Sequence, residues 1–261
     1  MMKPSKIGFA LLGLVLAAVI GGLFYVPHDP EKIAVMERFY PPSKEHWLGT
    51  DNLGRDVFSR LVVGGRWSLL TGGLGVLIGG TIGVALGALA GYFGRGVDEL
   101  LMRGADGMYA FPVILIALLA VTVLGPGSLS VLVAVTIGNI PIFMRLTRNQ
   151  ILKIRSEPYV EAARSLGASE QRIIFRHILP NAAPVLAVQF AASFAGAILA
   201  EASLSYLGVG IQPPNPSWGR MLREAQSFAG LAPWTVLAPG AVIALTVLGF
   251  NLIGDHFSQG R

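Results

Sequence analysis

From Ser68 to Tyr92 the chain carries no charged side chain, and Leu, Val, Ile, Ala and Gly fill most of the stretch. About 20 apolar residues in a helix cross the roughly 30 Å hydrocarbon core of a bilayer, so this run alone reads as a membrane span. Similar runs recur. Ile7–Val26 is one, preceded by Lys3 and Lys6, and is longer than the about 7–15 apolar residues of a cleaved signal peptide. Another runs from about Asp98–Arg103 to Leu124, interrupted by Asp106 and Pro112. Ser128–Met144 is a shorter one, with Asn139 and Pro141 near its inner half, and Ala182–Leu207 and Trp234–Ile253 complete the set. Composition agrees: 13% of residues are charged and 53% hydrophobic, against about 25% charged in soluble domains. The 33 glycines suit helices that approach closely in lipid. The expected fold is all-α, a polytopic bundle of six transmembrane helices.

Charge sets the expected orientation. Lys3, Lys6, Arg95 and seven basic residues between Arg145 and Pro180 fall on one side of this six-span layout, whereas charges on the other side largely cancel. The positive-inside rule then places both termini and loop 145–180 in the cytoplasm. Residues 27–66 and loop 208–233 are expected outside, and Asp255–Arg261 forms a short internal tail. The division is 1–66, a first span plus external segment, and 67–261, a core of five spans. The net charge of +5 follows from the same asymmetry and comes without the aromatic-rich basic face of a nucleic-acid binder.

Chemistry of the soluble kind finds no support. A phosphate-binding loop needs Gly-x-x-x-x-Gly-Lys-Ser/Thr, and no lysine follows a glycine here. The chain has no cysteine, and His28, His46, His177 and His256 show no ligand pairing at helical spacing, so no metal site is expected. Neither a Ser/His/acid set nor a Gly-x-Ser-x-Gly elbow appears.

The basic loop is patterned. Ser156-Glu157-Pro158 resembles a helix start, a short helix follows over Tyr159–Leu166, and Gly167 suits a left-handed stop. Ser169-Glu170 marks a second helix start, running through Ile173, Ile174 and Ile178 to Pro180. Physically, such a rigid helix either takes a push from a soluble motor or lies on anionic lipid.

Glu161-Ala162-Ala163-x-x-x-Gly167, followed by Leu179-Pro180, resembles the cytoplasmic signature of binding-protein-dependent ABC-importer permeases. His177, where many members carry Ile, looks like the peptide/nickel branch. Two further stretches are similar to that branch: Trp47 to Leu61, containing Leu48-Gly49-Thr50-Asp51, and Glu201 to Gly210, followed by Pro213-Pro214 and Ser217-Trp218-Gly219. The resemblance covers nearly the whole chain. It implies a type I ABC-importer permease fold, in which Glu161, Ala162, Ala163, Leu166, Gly167, His177, Leu179 and Pro180 couple to an ATPase. It also implies a second permease, two ATPase subunits, an extracytoplasmic solute-binding protein, and a bacterial or archaeal plasma (inner) membrane. No cofactor is expected in this chain, with ATP and Mg in the ATPase. The solute stays open among dipeptides, oligopeptides and nickel.

Polar groups within spans are candidates for function because a charge at mid-bilayer costs about 2.5–3.5 kcal/mol. Asp106, Asn139, Glu201 and Asn251 qualify, against the plainer reading of span ends and helix contacts. The rival functions are an ion-driven secondary transporter, which would show a repeat and paired broken helices, and a membrane enzyme, which would need a nucleophile or metal set.

Overall fold

In the computed structural model, residues 4–259 are described; Lys3 and the last two residues of the expected internal tail lie outside that range. Ten α-helices follow in order: α1 (Pro4–Gly21), α2 (Val57–Phe93), α3 (Arg95–Tyr109), α4 (Val113–Leu124), α5 (Ser128–Arg155), α6 (Pro158–Ser165), α7 (Glu170–Ile173), α8 (Leu179–Leu207), α9 (Trp218–Ala225) and α10 (Trp234–Gln259). No β-strand occurs among the described residues, where Thr50 and Asp56 form an isolated bridge. Four helical stretches are long and apolar enough to cross a membrane: α2, α5, α7–α8 and α10. α3 and α4 together form a fifth candidate, bent by 85°, and α1 is a shorter apolar helix. Each of the six apolar runs therefore meets a helix.

Four boundaries differ from expectation. α2 begins at Val57, because Asp56 caps it by accepting the Ser59 backbone N–H at 2.7 Å. The division at residue 66 thus cuts a helix, and 37 residues make α2 about 55 Å long, well beyond one bilayer core. The third run is not one straight span. Pro112 disfavours helical backbone at Phe111, and α4, with 12 residues, extends only about 18 Å. α5 continues past Met144 to Arg155, so Arg145 and Arg148 belong to a helix and not to a loop. α10 likewise carries the expected tail as far as Gln259.

Glycine spacing organises the centre. Gly75, Gly79, Gly83, Gly87 and Gly91 recur every four residues on α2 and face α5. A Cβ at Gly79, Gly83 or Gly87 would lie 2.3, 2.5 and 2.3 Å from the carbonyl oxygens of Thr136, Ile140 and Met144. The two backbones therefore touch, which only a stripe of residues without side chains permits. Around this seam Val76, Val131, Ala134, Val135 and Phe143 are buried. Large apolar side chains such as Leu74, Leu77, Leu119 and Leu248 point outward, as a lipid-facing surface allows.

Candidate functional site

The expected cytoplasmic loop folds as a braced hook. Glu157 precedes α6, and Pro158 occupies its first turn, where a missing N–H costs nothing. Gly167 adopts φ +82°, and the turn closes with Ala168 N–H donating to Ala163 O at 3.1 Å and Gly167 N–H to Arg164 O at 3.0 Å. This paired pattern is the glycine-dependent helix stop. Ser169 then caps α7 by accepting Arg172 N–H. Pro180 lacks an N–H and its ring crowds the carbonyl four residues back; immediately before it, Ile174–Ile178 widens into a π-helical turn. Val160, Ile173 and Ile178 are fully buried and pin the hook to the bundle.

Its outer surface carries the residues singled out from the sequence. Glu161, Ala162 and Gly167 are exposed, Ala163 is half-buried, and Leu166 is 88% exposed. His177 is half-buried near Tyr159, with ring centroids 6.4 Å apart, and its carbonyl accepts Asn181 Nδ2 at 2.6 Å. Leu179 is half-buried and Pro180 exposed at the start of α8. The geometry thus brings the expected coupling residues to one end of the bundle, α6 displaying an acid and an apolar side chain on a stiff support. Arg155 fixes the helix before the hook by donating to Gly91 O and Tyr92 O.

The four intramembrane candidates separate. Asp106 is exposed and pairs with Arg145 at 2.6 Å; beside it, Arg148 grips Asp98 through two contacts of 2.7 and 2.5 Å. These pairs hold amphipathic α3 along the C-terminal half of α5. Asn251 is exposed on α10. Asn139 is buried, donates to Val135 O at 2.8 Å, and edges a cleft of about 250 Å³ between α4, α5 and α8 that also carries Gln189 and Ser193. Glu201 is fully buried, one oxygen accepting Ser205 Oγ at 2.7 Å. The Ser68 and Ser217 hydroxyls flank the same carboxyl, and their oxygens already accept N–H groups from Trp218 and Arg220. Glu201 thus sits where α8, α2 and the start of α9 meet, with its second oxygen lacking a hydrogen-bond partner among the described residues.

A second cluster escaped the sequence reading. The Leu48-Gly49-Thr50-Asp51 hairpin and α9 meet through Glu224, which accepts Arg55 at 2.7 Å, Arg60 at 2.8 Å and Arg220 at 2.7 Å. Burial alone pushes the Glu224 carboxyl up, but the charges of Arg60, Arg55 and Arg220 outweigh it and hold it below the ordinary carboxylate value. Trp218, fully buried, donates Nε1–H to Leu61 O at 2.9 Å, and Trp234 Nε1–H reaches Thr50 O at 3.1 Å. Gly219 allows α9 to sit directly on α8, since a Cβ there would lie 2.1 Å from Ala202 O. The two motifs, joined where Trp218 meets Leu61 across 157 positions of the chain, are halves of one clamp. Beside it His28 and His46 pack with ring centroids 4.5 Å apart and planes tilted by 32°, a pairing through space that helical spacing could not reveal.

The helical bundle, with four stretches long and apolar enough to cross a bilayer, is the fold of a membrane protein. The chain belongs to the binding-protein-dependent transport system inner membrane component family, whose match covers residues 83–261. It is 48% identical over 262 residues to the dipeptide transport system permease protein DppC of Alkalihalophilus pseudofirmus, covering 97% of this chain and 84% of that one. It is 45% identical to the glutathione transport system permease protein GsiD of Pectobacterium atrosepticum, over 93% of this chain and 81% of that protein. In fold it is similar to a chain of the inward-facing MetNI methionine ABC transporter, with TM-score 0.64 and 18% identity over 77% of this chain and 95% of that one. An amino acid ABC transporter crystallised with histidines gives TM-score 0.55 at 17% identity, over 78% of this chain and 94% of that one. The chain is an inner-membrane permease component, and the secondary-transporter and membrane-enzyme readings fall away.

Proposed function

We propose that this chain is the transmembrane subunit of an ATP-driven peptide importer, and that α6 with the turn at Gly167 is the element that an ATPase subunit engages. The observation that carries the coupling assignment is the hook itself: a glycine-stopped helix with Glu161 and Leu166 outward, pinned from beneath by Val160, Ile173 and Ile178. A support of that stiffness transmits a displacement, where a floppy loop would absorb it. The names of the similar permeases favour a dipeptide or a short γ-linked peptide as solute, with nickel the weaker candidate. The cleft edged by Asn139, Gln189 and Ser193 offers such a solute amide and hydroxyl groups without fixed charge.

The working complex contains a second permease, two ATPase subunits and an extracytoplasmic solute-binding protein. ATP and Mg belong to the ATPase, because this chain has no lysine after a glycine to hold phosphates. Both termini and the hook face the cytoplasm, in line with the basic excess on that side. The test is reconstitution of this chain with its candidate partners in proteoliposomes. ATP-dependent uptake of a labelled dipeptide, absent when this chain is omitted, supports the reading; uptake driven by an ion gradient without ATPase overturns it.

A further inference from the structure

On the segment before α2, three side chains converge that the transport reading leaves without a task. Asp56 Oδ1 lies 2.9 Å from His46 Nδ1 and 3.7 Å from His28 Nδ1. Donor atoms of all three fall within 4.8 Å of one another. Zinc bonds of about 2.0–2.2 Å in a tetrahedron set neighbouring ligand atoms about 3.3 Å apart. Two edges of the triangle already bracket that spacing.

The protonation pattern points the same way. His46 turns Nδ1 to Asp56 and Nε2 to Glu37, whose Oε2 is 3.5 Å away. A neutral imidazole has one N–H, so it satisfies one carboxylate and presents a lone pair to the other. A cation between His46 Nδ1 and Asp56 Oδ1 removes the conflict, because Nε2 then keeps its proton and donates it to Glu37. That is the carboxylate–histidine–metal relay that fixes ligand tautomers. His28 Nδ1 is buried and has no hydrogen-bond partner among the described residues, a vacancy that the same cation fills.

The frame is held in advance. Asp56 Oδ2 accepts Ser59 N–H at 2.7 Å, leaving Oδ1 for the cluster. The Ser59 hydroxyl accepts the His28 backbone N–H at 3.2 Å. His46 and Asp56 are buried, while the His28 side chain is 39% exposed and gives access. We propose that His28, His46 and Asp56 bind a first-row divalent cation of the zinc class, with Glu37 positioning His46 and an open position for water. Two imidazoles and one carboxylate suit such an ion and do not suit magnesium or calcium. Bound there, the ion staples residues 28 and 46 to the first turn of α2.

The chain has no cysteine and four histidines, so zinc binding is readily assigned. The experiment titrates Zn²⁺ against a chromophoric chelator, using the purified full chain in nanodiscs with a histidine-free tag. One zinc per chain is expected, with two imidazoles in its X-ray absorption spectrum. His28→Ala and His46→Asn should each weaken binding by at least about 100-fold, and Glu37→Gln by about 10–100-fold, as for an outer partner of a ligating histidine. His28→Ala is the decisive variant, since its partly exposed ring can be removed without opening the core; its melting temperature in chelator should equal that of the parent. Absence of zinc binding overturns the proposal. Binding unchanged by His28→Ala, or lost instead in His177→Ala or His256→Ala, also overturns it.

Discussion

Alanine at Gly79 would add one methyl group where the α2 and α5 backbones already touch. The new Cβ would stand 2.3 Å from Thr136 O, against 3.4 Å for ordinary contact. The helices must therefore part by about 1 Å locally, and the obstacle is a backbone carbonyl that cannot swing aside. Overpacking of this kind costs about 1–3 kcal/mol. Alanine's better helix propensity returns about 0.5–1 kcal/mol, so Gly79→Ala should lose up to about 2 kcal/mol. Gly240 on α10 supplies the control, because nothing lies within 4 Å of a Cβ there. Gly240→Ala should be neutral, or gain the about 0.5–1 kcal/mol of propensity. Thermal unfolding of the purified chain in one detergent reads the difference, at about 2–4 °C per kcal/mol. Gly87→Ala, two turns along the same seam, should repeat the loss. Equal melting temperatures for Gly79→Ala and Gly240→Ala would refute the contact seam as the bundle's organising feature.

Gly167→Val forces a branched side chain into φ +82°, a strain of at least about 1 kcal/mol, and re-aims α6. Membrane levels should stay near normal while solute uptake and ATPase retention fall in vesicle transport and pull-down assays. Glu161→Lys should do the same through charge; enhanced or unchanged uptake would favour a helix lying on lipid. Glu224→Gln removes the nearer of two carboxylates facing Arg60, whose side chain is 1% exposed and keeps Asp51 at 3.6 Å; the loss should be about 3 kcal/mol, the low end for a broken buried pair because Asp51 remains and Glu224 keeps some solvent contact. The native Glu224 pKa is lowered from 4.5. Its contribution is therefore fully present above pH 4.5 and lost as pH falls through the native value, and the variant's melting curve should lose that acid limb. An impermeant thiol reagent applied from outside should leave Lys153→Cys unlabelled, and labelling would reverse the proposed topology.

The fold was legible because long apolar runs allow few solutions in lipid, where backbone polar groups must pair within helices. The Gly167 stop and the Ser169 cap were legible for a different reason: each depends on a residue type whose local chemistry decides the turn. Continuous helices defeated the boundaries. Arg145 and Arg148 look like loop residues until Asp106 and Asp98 on a neighbouring helix take up their charge. The clamp around Glu224 was illegible because Arg60 and Glu224 are 164 positions apart, and no periodicity links them. Glu201 was visible as a polar residue in a span, but Ser68, Ser205 and Ser217 around it come from three separate segments. His28 and His46 were read along helices, whereas a loop brings their rings within 4.5 Å of each other at a tilt of 32°.

Cysteine cross-linking at Leu166 tests coupling most directly. The chain has no cysteine of its own, and Leu166 is 88% exposed on the hook. Leu231, 64% exposed in the loop after α9, is the matched control on the opposite side. In an assembled transporter with active uptake, Leu166→Cys should form an adduct with the ATPase subunit, in a yield that changes when ATP is bound. Leu231→Cys should form none. An active complex in which position 166 gives no ATPase adduct, or gives no more than position 231, would contradict the assignment of α6 as the coupling element.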